Sequence, residues 1–220
     1  MREPAYLKIV SHYEDCLKRH HDGALAVDWK SERDANIRYD VMLGVVRNGD
    51  PRATLLDFGC GLAALKSHME NRGMSALQYT GLDISQKFAC SARALHPDTE
   101  FLCYDVLESH MRLPSFDYVI MNGVFTRRHD MSANDMESYL HRLLGVVFEA
   151  CGVGLAFNVM SKAVDWECKC LFHPDPGRLI DFISRKLTRH FIVRNDYGLY
   201  ETTYYLYREP CSDEAIKATT

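Results

Sequence analysis

The sequence lacks a basic excess, a long apolar run and any internal repeat. Its 26 lysines and arginines are outnumbered by 30 aspartates and glutamates, and the pI is about 6.2. General nucleic-acid binders carry surplus cations that neutralise phosphates, so this balance disfavours a DNA or RNA partner. No stretch approaches the roughly 18 apolar residues of a membrane helix, and the N-terminus has no signal-peptide run. We therefore expect a cytoplasmic protein with no membrane partner.

The eight cysteines lack the paired spacings that zinc sites show. Cys168 and Cys170 form the one close pair, and no second pair complements it. We interpret the thiols as buried or idle side chains in a reducing compartment, and we predict no metal site.

Strand and helix patterns alternate along most of the chain. Residues 1–50 form a largely helical lead-in that ends at the turn-forming cluster Asn48–Pro51. Short apolar runs then predict seven strands: Thr54–Phe58, Leu77–Leu82, Phe101–Tyr104, Phe116–Met121, Val153–Asn158, Phe191–Arg194 and Thr203–Tyr207.

The connections between these strands predict the topology. Helical segments separate the earlier strands, which favours a parallel sheet with helices on both faces. The Asn195–Tyr200 connection is too short for a crossover helix, so the last two strands should form an antiparallel hairpin. We predict an α/β, Rossmann-like fold over residues 51–210, with a seven-stranded, mostly parallel sheet, followed by a tail over residues 211–220.

The first predicted strand ends in a turn with glycines and an acid. Gly59 and Gly61 permit positive φ and close approach of a ligand to the backbone. Asp57 beside them would repel a pyrophosphate, the ligand that a dinucleotide fold docks there. A carboxylate instead suits a cation, such as an amino group or a sulfonium.

Two further acids follow the second and third strands. Asp83 can accept hydrogen bonds from both hydroxyls of a ribose. Asp105 can accept one from an adenine amino group, with apolar neighbours around the ring. All three acids lie at the carboxyl ends of predicted strands, where open α/β sheets bind ligands.

In these features the sequence resembles the class I S-adenosylmethionine-dependent methyltransferases, from about Thr54 to Tyr207. The resemblance implies S-adenosylmethionine as cofactor and S-adenosylhomocysteine as product. One departure is that Ala63 replaces the third glycine of the usual pattern. The alternative interpretation is a glycine turn plus two helix-capping aspartates. The implied cofactor-binding residues are Asp57, Gly59, Cys60, Gly61, Asp83, Ile84, Asp105, Val106, Asn122 and Gly123.

The lead-in is expected to fold over the cofactor. Its Arg38 is a candidate partner for the methionine carboxylate, although a surface arginine with a solvated head is the alternative. Methyl transfer itself needs positioning, desolvation and at most one base. The candidate catalytic bases are His129, Asp165 and His173, each of which has an ordinary surface role as its alternative.

The leading hypothesis is methyl transfer to oxygen or nitrogen of a small-molecule or carrier-linked acceptor. Compact chains of this kind resemble bacterial enzymes of surface-glycan or natural-product pathways. The alternatives are a non-catalytic regulatory or structural partner that binds the cofactor, and an RNA methyltransferase with a basic groove across Arg127, Arg128 and Arg142. A nicotinamide dehydrogenase is more distant, because Asp57 and the terminal hairpin oppose it. The sequence specifies neither the acceptor nor the oligomeric state.

Overall fold

A computed structural model describes residues 4–47 and 52–211. The predicted turn cluster at 48–51 and residues 212–220 of the predicted tail lie outside these described residues. The strands are β1 (Thr54–Phe58), β2 (Gln78–Leu82), β3 (Glu100–Leu102), β4 (Phe116–Met121), β5 (Cys151–Met160), β6 (His190–Arg194) and β7 (Glu201–Tyr207). The helices are α1 (Leu7–His20), α2 (Gly23–Ala26), α3 (Glu32–Leu43), α4 (Ala64–Asn71), α5 (Gln86–Leu95), α6 (Ala133–Glu149) and α7 (Pro176–Phe182). A π-helical turn (Ile183–Leu187) extends α7.

One seven-stranded sheet has the order β3-β2-β1-β4-β5-β7-β6. The strands β1 to β5 are parallel, and β7 is antiparallel to both of its neighbours. The predicted fold, including the C-terminal antiparallel hairpin, is therefore confirmed. The chain reverses its direction of travel across the sheet between β1 and β4, and ligands of open α/β sheets bind at such a switch point.

The boundaries of five strands differ from the prediction: β2 begins one residue later, β6 one residue earlier and β7 two residues earlier than predicted, and β3 and β5 also differ. β5 runs from Cys151 to Met160, two residues longer at each end, because its pairing with β4 begins at Phe116–Cys151 and its pairing with β7 continues to Met160–Glu201. β3 is shorter than predicted and ends at Leu102. The division of the chain at residues 50 and 210 stays a prediction.

Successive side chains of a strand point to opposite faces of the sheet, so the strands contribute to two hydrophobic layers. Leu56 of β1 and Val119 of β4 pack with α6 and α7 on one face. Leu55 and Ile120 pack with α3 and α4 on the other. Both faces are thus covered, which explains why β1 and β4 read as continuous apolar runs. Among the described residues, no helix combines the length and apolarity needed to span a membrane.

A buried polar network joins the lead-in to the sheet. Nε of Arg38 in α3 donates to Oε1 of Glu201 at the start of β7, at 2.8 Å. Nδ2 of Asn158 in β5 donates to Oε2 of the same carboxylate, at 2.7 Å. The Asn158 side-chain oxygen accepts from the Gly123 backbone N–H at 2.7 Å. Glu201 is only 4% exposed, so the arginine supplies the charge that balances it.

We predict that Glu201→Ala lowers the free energy of unfolding by about 3 kcal/mol, because it leaves the half-buried guanidinium of Arg38 without its partner. Urea unfolding of the purified variant measures this loss. The control is Lys8→Ala, which breaks a pair with Asp130 whose side chains are 63% and 82% exposed. Its cost should stay below about 1 kcal/mol. Equal, small losses of unfolding free energy in both variants would contradict a stabilising role for the pair of Arg38 and Glu201.

Candidate active site

A cavity of about 450 Å³ opens at the carboxyl ends of β1, β2 and β4. It lies at the switch point between β1 and β4, and its volume falls in the range of small-molecule sites. Residues that follow each of these strands line it, and the lead-in contributes the opposite wall.

The turn after β1 has the backbone that its glycines predict. Gly59 and Gly61 have φ of 73° and 53°, in the left-handed region. Ala63, where the usual pattern has glycine, also has a left-handed φ of 58°. The backbone N–H groups of Gly59 and Cys60 both donate to the Leu82 carbonyl, at 2.7 and 3.0 Å. The turn is thereby fixed to the end of β2.

Asp83 joins the turn to the second strand. Its Oδ2 accepts from the Gly61 N–H at 3.0 Å, and its Oδ1 accepts from the Ser85 N–H at 2.8 Å. Burial raises its pKa to about 6, in opposition to these two donors. Each carboxylate oxygen has a second lone pair, so both can still accept from ligand hydroxyls.

Asp105 contacts the lead-in. Its Oδ2 accepts from the Tyr6 hydroxyl at 2.6 Å, and its Oδ1 accepts from the Leu107 N–H at 2.9 Å. The Tyr6 ring stacks on Tyr139 of α6 with 4.8 Å between centroids. Burial, and then the neighbouring carboxylate, raises the pKa of Tyr6, so the phenol stays a donor. Tyr6 thus fixes the N-terminal end of α1 to the third acid.

Asp57 is the most deeply buried of the three acids, at 4% exposure. Its Oδ2 accepts from the Tyr79 hydroxyl at 2.7 Å. Burial raises the pKa of Asp57 to about 7, the Tyr79 hydrogen bond opposes this, and the charge of Asp83 adds to it. The carboxyl therefore titrates near neutral pH.

The cavity lining is electronegative. In the part of the chain that the structure describes, the lining contains no lysine or arginine. It contains five carboxylates: Asp22, Glu32, Asp57, Asp83 and Asp105. Such a wall favours a ligand with net positive charge and disfavours a pyrophosphate.

The predicted cofactor residues converge, with one exception. Ten of the eleven line this cavity: Asp57, Gly59, Cys60, Gly61, Asp83, Ile84, Asp105, Val106, Asn122 and Gly123. Arg38 is not part of the lining, since its guanidinium binds Glu201 and lies 5.0 Å from the Trp29 ring. Its Nη1 is buried without a hydrogen-bond partner among the described residues. Its role toward a methionine carboxylate stays a prediction.

The three predicted bases lie outside the lining. Asp165 is exposed, and His173 contacts the Ser161 carbonyl through Nδ1 at 2.7 Å. His129 has a left-handed φ of 49° and its ring centroid lies 4.5 Å from that of His12. Burial lowers the pKa of His129. The structure therefore brings none of these groups to the wall of the cavity.

His12 belongs to a polar cluster with Cys16 and Asp28, whose ligand atoms lie within 4.8 Å of one another. Two arginines already pair with this cluster. Arg127 forms an ion pair with Asp28, and Arg19 donates to the Cys16 sulfur at 3.2 Å. We interpret the cluster as a contact between the lead-in and the loop after β4.

Sequence reasoning missed the aromatic wall that the lead-in supplies. Tyr6, Ile9, Val10 and Tyr13 of the first turns line the cavity. Their spacing of three and four residues is the pattern of one helical face, which was present in the sequence. Trp29 closes the same side against Gly123, where an added Cβ would lie 3.5 Å from the indole.

Comparison with known proteins agrees with this geometry. A family model described as a methyltransferase domain matches residues 55–147. A relative from Mycobacterium tuberculosis (strain H37Rv), named "Putative methyltransferase Rv1506c", is 26% identical over 164 residues. The match covers 72% of this chain and 95% of that protein.

Solved structures share the fold. Magnesium protoporphyrin IX methyltransferase from Synechocystis PCC 6803, with bound S-adenosylhomocysteine, has a TM-score of 0.64 at 13% identity, covering 92% of this chain and 100% of its own. Human N-acetylserotonin methyltransferase, in complex with S-adenosylmethionine, has a TM-score of 0.58 at 15% identity, covering 94% and 69%. These matches are all to methyltransferases, and the solved structures show that the chain shares their fold.

We predict that Asp57→Asn makes the ligand-free protein more stable, relative to wild type, as pH rises. The folded pKa of Asp57, about 7, lies above the unfolded value of about 4. Between these values the folded state holds a proton that the unfolded state has lost, so wild-type stability falls with increasing pH. Asparagine does not titrate. The melting temperature of the variant minus that of the wild type should therefore increase by about 3 °C or more between pH 5 and pH 8. A difference in melting temperature that is constant with pH would contradict the raised pKa of Asp57.

Proposed function

We propose that the protein binds S-adenosylmethionine in this cavity and transfers the methyl group to oxygen or nitrogen of a small-molecule acceptor. The observation that carries the proposal is the convergence of Asp57, Asp83 and Asp105 on one cavity beside the left-handed glycine turn. A dinucleotide-binding turn would not need Asp57 beside its glycines, whereas the resemblance gives each of the three acids a part of the cofactor to bind.

The charge of the cavity fits this cofactor. A sulfonium, an ammonium and a carboxylate give the cofactor a net charge of about plus one, which suits a wall whose described residues include five acids and neither lysine nor arginine. We assign the ammonium to Asp57, the ribose hydroxyls to Asp83 and the adenine amino group to Asp105. Ile84 and Val106 supply apolar surface for the adenine ring.

When bound, S-adenosylmethionine supplies a methyl group already activated on a sulfonium. The protein's task is then to orient the acceptor and exclude water. The lead-in suits this task, because Tyr13, Val27 and Trp29 form an apolar wall opposite the glycine turn. His129, Asp165 and His173 stay candidate bases by prediction only, and none lines the cavity.

The names of two similar solved structures and the acidic lining of the cavity support a small-molecule acceptor. Two structural neighbours are named for small-molecule substrates, a magnesium porphyrin and N-acetylserotonin. An electronegative wall disfavours a polyanionic acceptor such as RNA. Arg127 pairs with Asp28, and Arg128 donates to the Met131 carbonyl, so neither supports the basic groove of the RNA alternative. A carrier-linked acceptor and a cytoplasmic location stay predictions.

We predict that S-adenosylhomocysteine binds saturably and that NAD does not, as measured by isothermal titration calorimetry. Asp83→Asn should weaken S-adenosylhomocysteine binding by about tenfold to a hundredfold, the loss of a charge-assisted hydrogen bond of about 1.5–3 kcal/mol. The matched control is Asp98→Asn at an exposed position, which should leave the affinity unchanged.

Three results would count against the proposed function or its site residues. Binding of NAD with no binding of S-adenosylhomocysteine would favour the dehydrogenase alternative. Unaltered affinity in Asp83→Asn would remove that residue from the site. Binding without turnover on any acceptor would favour the regulatory-partner alternative.

A further inference from the structure

Asp57 is held differently from the other two acids. Asp83 and Asp105 each accept at least one backbone N–H. Among the described residues, the Asp57 carboxyl receives a single hydrogen bond, which comes from the Tyr79 hydroxyl. A carboxylate at 4% exposure, with one neutral donor and no ion pair to a cation within residues 4–47 and 52–211, is poorly compensated for the water it has lost.

We propose that Tyr79 is a positioning residue for the cofactor: its hydroxyl holds Oδ2 of Asp57, keeps Oδ1 free for the cofactor's α-ammonium group, and thereby couples cofactor binding to release of a proton from Asp57 to solvent. This inference rests on the proposed function and deepens it. The ammonium group becomes the missing cation beside the buried carboxylate.

The structure gives Tyr79 little freedom to do anything else. It lies on β2, where it pairs with Leu55 of β1, and is 9% exposed. Its ring packs edge-on against Phe101 of β3 at 6.4 Å, and Nζ of Lys66 lies 5.9 Å from the ring centroid. Burial, and then the charge of Asp57, raises the pKa of Tyr79 far above its usual range, so the phenol remains a donor.

The other ionisable groups facing this pair come from four elements. Asp83, after β2, and Cys60, in the turn, are neutral or negative neighbours of Asp57. Tyr39 of α3 faces Asp57, and Glu32 and Arg38 act on Tyr39 from the same helix. Lys66 of α4 approaches the ring of Tyr79 rather than the carboxyl. Asp57 consequently has a pKa of about 7, raised mainly by burial, and is partly protonated at neutral pH.

The test compares two ligands on the wild-type chain between pH 5.5 and 8.5. S-adenosylhomocysteine carries the ammonium, whereas 5′-methylthioadenosine shares the adenosine thioether and lacks the amino-acid part. The titration of Asp83 affects both ligands, so it cancels in the ratio of their affinities. That ratio should rise by about tenfold per pH unit below about pH 7 and level off above it.

Proton release gives a second measurement on the same wild-type chain. Calorimetry at pH 6.5, in two buffers of different ionisation enthalpy, counts the protons released on binding. S-adenosylhomocysteine should release roughly half a proton to one proton more than 5′-methylthioadenosine.

Tyr79→Phe removes the donor and keeps the ring. The pH at which the affinity ratio rises should increase by about one unit. At pH 7 the affinity for S-adenosylhomocysteine should fall about five- to tenfold, whereas the affinity for 5′-methylthioadenosine should stay within about twofold of the wild-type value. The matched control is Tyr118→Phe, a buried tyrosine of β4 whose hydroxyl contacts the Arg47 carbonyl at 3.5 Å. Tyr118→Phe should leave the affinities for both ligands unchanged.

A ratio that is flat with pH in the wild type, or equal weakening of both ligands in Tyr79→Phe, would overturn the inference. If Tyr79→Phe does not fold, the wild-type proton count alone decides. If neither ligand binds the wild type, the proposed function fails and this inference falls with it. Saturable binding of S-adenosylhomocysteine with an affinity ratio that is flat with pH would instead leave the proposed function intact and remove the coupling through Tyr79 and Asp57.

Discussion

Three carboxyl groups, of which Asp57 and Asp83 are buried and Asp105 is half-buried, lie at one edge of the sheet and must find hydrogen-bond donors in place of water; the local structure supplies these donors. Asp83 takes two backbone N–H groups and so closes the glycine turn. Asp105 takes a phenol from the lead-in. Asp57 takes a phenol from the neighbouring strand and remains the least compensated. Turn, strand end and lead-in are therefore positioned by the same acids that would bind a cationic ligand.

The lead-in is part of the same arrangement. Its first helix supplies aromatic and aliphatic side chains to the cavity, and its third helix is held to the sheet through Arg38 and Glu201. The Glu201 carboxylate also binds Asn158, which in turn accepts from the Gly123 N–H beside the cavity. Glu201, which does not line the cavity, thus helps to fix the loop at Gly123 that borders it.

The sequence predicts the sheet, and the convergence of the three acids and the glycine turn on one cavity, for a physical reason. Parallel strands that are buried on both faces are continuous apolar runs, and their polar ends mark the functional edge. Thr54–Phe58 and Phe116–Met121 have the predicted bounds. Arg38 is harder to place, because its partner Glu201 lies 163 residues away and only the fold brings them together. Likewise, no local pattern pairs Tyr79 with Asp57 or Tyr6 with Asp105. The strand lengths depended on pairing across the sheet, which the spacing of apolar residues does not encode.

The family model matches residues 55–147, and this stretch contains all three acids and the glycine turn. Tyr6, Tyr13 and Trp29, which form the facing wall, lie before it. The two sides of the cavity therefore come from different parts of the chain. Substitutions at Tyr13 or Trp29 can therefore reshape the facing wall of the cavity while the glycine turn and the three acids stay unchanged.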